Sequence, residues 1–199
     1  MDGDASGGLY FDQTAWSLET SIEWSFKKYL ALYCGFEMTS EFGQWDYHTV
    51  IDGLEARTTD NDRDVKWFIL KPGLVVKTPA LLRNRDGDIR FWLQAKPGLS
   101  FACPVSNSVT FELIRYQANV GKVVGHHRIG NEGLQWFYWQ CPFSMTVAFD
   151  RFICSLGYEL SNFDYYSCRR NVMLPAGHKY PVPKRRISQK VFLAIGYNF

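Results

Sequence analysis

The sequence predicts an all-β fold: an antiparallel up-and-down β-barrel whose strands are long enough to cross a membrane. Three observations predict it. Apolar and polar residues alternate with a period of two over stretches of nine to fourteen residues. Between those stretches, short turns and long irregular connections follow one another in strict alternation. The 199 residues are 46% hydrophobic and 17% aromatic, yet no run approaches the roughly 18 uninterrupted apolar residues of a transmembrane helix. In a barrel only every second side chain faces lipid, so the average hydropathy stays near that of a soluble protein.

The clearest alternation runs from Trp16 to Phe26. Trp16, Leu18, Thr20, Ile22, Trp24 and Phe26 share one phase, and Ser17, Glu19, Ser21, Glu23 and Ser25 the other. At about 3.3 Å per residue and a tilt near 45°, this stretch covers roughly 25 Å, the height of an outer-membrane apolar band. After a turn at Lys27-Lys28-Tyr29, a second strand continues with Leu30, Leu32, Cys34, Phe36 and Met38 opposite Ala31, Tyr33, Gly35 and Glu37. Residues 39–64 read as a long loop. The third strand places Phe68, Leu70, Pro72, Leu74 and Val76 on its apolar phase, while Trp67, Ile69, Lys71, Gly73 and Val75 form a second face less polar than a barrel interior calls for.

Asn84-Arg85-Asp86-Gly87 supplies hairpin-turn chemistry. A fourth strand follows from Ile89 to Phe101. Lys-Pro-Gly-Leu occurs in both members of this hairpin, at Lys71 to Leu74 and at Lys96 to Leu99. Proline has no ladder donor, so the pair predicts a matched bend in the sheet. Residues 103–132 are a second long connection, with a hairpin continuing above the barrel in Val109 to Tyr116. The fifth strand ends at Phe149, Asp150-Arg151 is a tight turn, and a sixth strand runs from Phe152 to Leu160. Residues 162–185 form the third loop, and a seventh strand carries the alternation from Arg186 to Phe199.

Seven strands is an odd number, and an open sheet edge in lipid leaves backbone groups unpaired. Bacterial single-chain barrels close with an even number. The parity predicts eight strands in the complete protein with about seven present here, so that residues 1–15 are the remainder of an external loop and the signal peptide and first strand lie upstream. Tyr10-Phe11 is too short to supply that strand. On this reading residues 1–199 are one barrel domain.

On the polar phase, Glu19, Glu23, Glu37, Lys71, Arg90, Lys96, Glu159 and Lys190 point inward and carry both signs. A narrow barrel is filled by its own side chains, so these charges are expected to pair rather than to line a channel. Trp16, Trp24, Tyr29, Trp139, Tyr158 and Tyr197 are candidates for aromatic girdles. Cys34, Cys103, Cys141, Cys154 and Cys168 show no metal spacing; a disulfide between Cys103 and Cys168, both assigned to loops, is left open. No metal or cofactor motif is present. A net charge of +2 without a concentrated basic patch argues against nucleic acid as a partner. His48, His126, His127 and His178 all fall in external loops, without a His-x-Ser motif, so catalysis has little support. Arg169 and Arg170 are candidates for contacting lipopolysaccharide phosphates.

The segments Lys28-Tyr29-Leu30-Ala31, Lys71-Pro72-Gly73-Leu74, Ala95-Lys96-Pro97-Gly98-Leu99, Phe149-Asp150-Arg151-Phe152 and Ser161 to Tyr166, followed by the terminal strand, carry a resemblance through their order and spacing. The chain resembles the small outer-membrane β-barrel family of Bacteroidota type, similar in architecture to OmpX, the opacity proteins and the transmembrane domain of OmpA. That resemblance implies a bacterial outer-membrane location, contact with outer-membrane lipid and lipopolysaccharide, and a C-terminal signal, Tyr197 and Phe199, read by the barrel-assembly machinery. It implies no assigned activity. The expectation is a non-enzymatic envelope protein, structural or surface-binding through its long loops, with an unidentified extracellular ligand. The alternatives are a lipid-modifying outer-membrane enzyme, a narrow porin, or a soluble lipocalin-like carrier with the apolar face turned inward.

Overall fold

In the computed structural model, residues 14–42, 47–59, 64–84, 89–175, 177–182 and 187–198 are described; the N-terminal segment before Thr14, residues 85–88 of the expected turn, Arg185, Arg186 and Phe199 lie outside them. The described residues are all-β. The main sheet is built from β1 (Thr14–Lys27), β2 (Leu30–Phe42), β5 (Asp64–Lys77), β7 (Ile89–Ala95) with β8 (Gly98–Pro104), β11 (Phe137–Phe149), β12 (Phe152–Ser161) and β13 (Ser188–Tyr197). Each is antiparallel to its neighbour, in the order in which the chain presents them. The short β6 (Leu82–Arg83) pairs with β7 near the turns.

β7 and β8 hold one register against both neighbours, from Val76 opposite Ala95 to Trp67 opposite Pro104 on β5 and from Phe149 opposite Ile89 to Phe137 opposite Phe101 on β11. They are one stave, interrupted at Lys96-Pro97. The two prolines expected to mark a bend interrupt the same ladder: between Phe101 and Gly98, β8 has no partner on β5. Gly73 and Gly98 face one another there, and a Cβ on Gly98 would stand 2.5 Å from the Pro72 carbonyl oxygen. Only glycines permit that approach of two backbones.

Several boundaries differ from expectation. β1 begins two residues earlier than Trp16. The first two expected loops are largely strand, because β3 (His48–Ile51) and β4 (Leu54–Thr58) occupy one, and β9 (Ser108–Gln117) and β10 (Val120–Gly130) the other. These four form a second antiparallel sheet in the order β10-β9-β4-β3. Asp52-Gly53 joins β3 to β4 and Ala118-Asn119 joins β9 to β10, all four residues with positive φ, which suits tight hairpin turns. β3 and β4, at four and five residues, are too short to show a sustained period in the sequence. Cys103 lies on β8 rather than in a loop, and all five cysteines are free.

The main sheet curls so that its polar phase faces inward. Lys71 on β5 reaches Glu159 on β12, and Lys190 on β13 reaches Glu37 on β2. The outward phase is apolar and exposed on every stave, including Leu18, Phe36, Leu70, Leu93, Met145, Leu156 and Leu193. Among the described residues, the ladder is not continued between β13 and β1.

Candidate functional site

The barrel interior is arranged in three layers. Nearest the short turns, Glu23 pairs with Lys96 at 2.5 Å and with Lys77 at 3.1 Å, and the Lys96 ammonium lies 4.7 Å from the centroid of the Tyr33 ring. Arg90 stands apart at this end, opposite Arg83 in register, exposed and without a charged partner among the described residues.

The middle layer is centred on Lys71, which is fully buried. Its ammonium donates to Glu19 at 3.1 Å and to Glu159 at 2.8 Å, and it pairs with Glu37. Glu37 also takes Lys190, and the Tyr33 hydroxyl donates to Glu19. Five of the eight charges assigned to the interior therefore meet in one network and two more, Glu23 and Lys96, in the layer beside it. Lys77 was missed, although it falls on the inward phase of β5. Oxygen atoms of Glu19, Glu37 and Glu159 lie within 4.8 Å of one another, a spacing that suits a cation. That cation is the Lys71 ammonium, which satisfies the three carboxylates from its three N–H donors.

The third layer closes the loop end. Val65, Trp67 and Ile69 of β5, Ala102 of β8 and Tyr138 of β11 all point inward and pack with Phe163, Tyr166 and Cys168 of the connection before β13. This accounts for the apolar inward face of the third expected strand. Trp67 meets Phe163 edge-on at 5.0 Å and donates its indole N–H to the Tyr165 carbonyl at 2.9 Å. Tyr166 donates its hydroxyl to Glu41, and burial together with that carboxylate raises the phenol above its ordinary pKa. Burial also pushes the Cys168 thiol up to about 11, against the opposing effect of Arg169. Arg170 holds Asp164 through two bonds, at 2.6 and 2.8 Å, and Arg169, buried, donates to the Asp64 carbonyl at 2.9 Å. Of the two arginines singled out in the sequence, Arg169 ties this connection to the barrel rim at Asp64 and Arg170 braces the connection internally at Asp164.

Above the rim, the second sheet packs Ile51, Ala56, Val109 and Phe111 against Val172, Leu174 and Tyr180. The strap Val172–Tyr180 folds back on itself through Tyr180 N–H to Val172 carbonyl at 2.8 Å and Leu174 N–H to His178 carbonyl at 2.9 Å. Asn131 anchors it by accepting from the Asn171 N–H at 2.8 Å and donating to the Ser167 carbonyl at 3.1 Å. β10 is the outer edge of this sheet. Its charged side chains are Lys122 and Arg128, beside His126 and His127, with no acid between Gln117 and Gly130. His48 faces Glu55 at 3.2 Å. No protein-family model, curated protein or solved structure matches the chain.

Proposed function

We propose that this chain is an integral outer-membrane β-barrel protein, without enzymatic activity, that holds a small β-sheet module outside the cell. The observation carrying this reading is the inverted polarity of the main sheet. Its exposed outer face is apolar on every stave, whereas its interior holds eight paired charged groups in ion-pair contact: Glu19, Glu23, Glu37, Lys71, Lys77, Lys96, Glu159 and Lys190. Water as the outer solvent would leave that apolar surface far above the few hundred Å² tolerated by a soluble monomer. Lipid removes the conflict. A lipocalin-like carrier needs the opposite sense, with an apolar cavity.

Outer-membrane lipid and lipopolysaccharide are then the surroundings of the barrel. Trp16 and Trp139 near the loops and Trp24, Tyr29 and Tyr197 near the turns supply interfacial aromatics. Tyr197, stacked edge-on against Phe152 at 5.5 Å, and Phe199 form the signal for the assembly machinery. The surface module, through the basic open edge of β10, is the part that meets an extracellular ligand. The packed interior favours this reading over a narrow porin.

The test is refolding of the chain with and without detergent, followed by heat-modifiable migration and flotation with lipid vesicles. A compact, fast-migrating form that floats with vesicles is expected. A monodisperse soluble protein in plain buffer would replace this reading with the ligand-carrier one.

A further inference from the structure

The hairpin of β9 and β10 outruns the rest of the surface module. The last pair that β4 makes with β9 is Glu55 opposite Ile114, whereas β9 and β10 stay paired as far as Gln117 opposite Val120. Beyond Ile114 the chain is therefore a two-stranded ribbon, and every residue from 115 to 124 is exposed. A two-stranded ribbon alone is at best marginally stable in water, so it gains from a surface that covers it.

Register sorts the ribbon into two faces. On one, Tyr116 pairs with Gly121 and Ile114 with Val123, and the Tyr116 ring crosses Gly121 so closely that a Cβ there would stand 3.0 Å from it. On the other, Arg115 lies directly opposite Lys122. Like charges in that position repel, and neither cation has an acidic partner among the described residues. Glu55 on neighbouring β4 is engaged by His48 at 3.2 Å and by the Tyr116 hydroxyl. From Leu113 to Gly130 the sequence holds Arg115, Lys122 and Arg128 and no acid. The same tip exposes Val120 to 69%, Tyr116 to 54%, and Val123 and Val124 to 46% each.

We propose that this ribbon docks tip-first on an anionic phospholipid bilayer lying opposite the one that holds the barrel. Val120 at the turn, with Tyr116 and Val123 behind it, enters the headgroup region, and Arg115 and Lys122 share a lipid phosphate. The shared phosphate turns their repulsion into two charge-assisted contacts. Tyrosine suits the interface, and an amphipathic element binds there through its apolar area together with its attraction to anionic lipid. A purely polar polyanion would neutralise the cations yet leave the valines in water. The barrel's own leaflet is too far away. The base of the hairpin is fixed at the rim, where Asn131 donates to Asn107 at 3.0 Å and to the Ser167 carbonyl at 3.1 Å. About 30 Å of strand separates that base from the tip, several Debye lengths at physiological salt. The proposal names the ligand class of the surface module and rests on the membrane reading of the barrel.

Flotation tests this, with the 199-residue chain held in phosphatidylcholine nanodiscs, which leave both sides of the bilayer accessible, and mixed with separate vesicles. Discs carrying the chain should float about tenfold more with vesicles containing phosphatidylglycerol than with vesicles of phosphatidylcholine alone, the effect of two cations at an anionic surface. Empty discs should float with neither. Lys122→Glu should remove the preference. Val120→Ser combined with Val123→Ser keeps both cations and should cut binding to the anionic vesicles about fivefold. Since these positions are exposed, each variant should keep the heat-modifiable shift of the barrel. Equal binding to both kinds of vesicle, no binding, or a preference that survives Lys122→Glu would overturn the proposal. Binding that the serine variant leaves unchanged would overturn it as well, and displacement by polyglutamate would then assign the ribbon to an acidic protein. Failure of the membrane reading is separate: the chain would then leave the discs and run alone as a soluble protein.

Discussion

The barrel and the surface module are built from the same kind of strand, with opposite solvent sense. In the barrel the charges lie inside, gathered on Lys71, and the large apolar side chains lie outside. In the module the apolar residues Val109, Phe111 and Tyr180 are inside, and charged residues such as Lys122 and Arg128 are carried on the outer strand β10 beside a few exposed valines. The inversion happens within β5: Val65, Trp67 and Ile69 point into an apolar plug, and two residues further the same phase presents Lys71 to three carboxylates. A period of two states that a strand has two faces. Which face meets the core depends on what lies beyond the other, and that changes along one strand.

This comparison fixes where the largest effect should fall. Lys71→Met leaves Glu19, Glu37 and Glu159 facing one another with Lys190 as the remaining cation beside them, so the barrel should lose about 3–5 kcal/mol, the cost of breaking a buried ion network by one partner. Urea titration of the heat-modifiable form reads it. A loss under about 1 kcal/mol would mean that the interior is wet enough to solvate the carboxylates, and would revive the porin reading. Phe111→Ala belongs to the other region. It should cost about 3 kcal/mol within the module, through the cavity left against Val172 and Tyr180, while the barrel keeps its heat-modifiable shift. Proteolysis within residues 108–130 with the barrel band intact is the expected result; simultaneous loss of both would show that the two regions fold as one unit.

The outer faces differ in the same way. Ile22→Lys puts a charge in the outward apolar band of β1 and should cost about 2–4 kcal/mol in a bilayer. Val50→Lys, at another exposed apolar position, on β3, should stay within about 0.5 kcal/mol, as for most surface substitutions. Equal effects at the two sites would remove the reason for placing lipid around one and water around the other.

Much of the barrel was legible because its strands are long. Seven staves, the two-residue turns at Lys28-Tyr29 and Asp150-Arg151, and the inward phase of Glu19, Glu37, Lys71, Glu159 and Lys190 all follow from alternation sustained over nine or more residues. Of the module, only the stretch Val109 to Tyr116, which falls on β9, was legible. β3 and β4 are four and five residues long and shorter than the window in which a period becomes visible, and β9, the partner of β4, lies about 55 residues away in the chain. The same limit hid the plug. Trp67 and Ile69 looked out of place on a polar phase, and the residues that justify them, Phe163 and Tyr166, lie about 95 residues downstream. Arg169 and Arg170 stood out as cations among aromatics; their acceptors, Asp64 and Asp164, give them a local role that charge patterning alone did not separate from ligand binding.

The smaller effects lie at the junction of the two regions. Cys168 is buried under Trp67 and Phe163 with its thiol at about 11, so at pH 8 its thiolate fraction should be lower than that of an ordinary thiol by roughly two orders of magnitude. Its folded pKa lies above the unfolded value, so burial of the neutral thiol contributes stability that is complete below about pH 8.5 and is lost as pH rises toward the folded value. Iodoacetamide labelling of the refolded chain at pH 8 should therefore leave Cys168 unmodified until urea opens the junction, and rapid labelling would mean that the plug does not close the mouth. Arg170→Lys should be milder still, at about 1 kcal/mol. Lysine keeps the charge beside Asp164 but replaces a two-point fork by a single contact, so the turn 164–170 stays closed with less defined geometry. The measurement is again Cys168 labelling: Arg170→Lys should raise its rate several-fold without shifting the urea midpoint of the barrel, because the Arg170–Asp164 fork orders the turn that carries the plug and the Lys71 network holds the staves. An unchanged rate would place the ordering of the plug on Trp67 and Tyr166 alone.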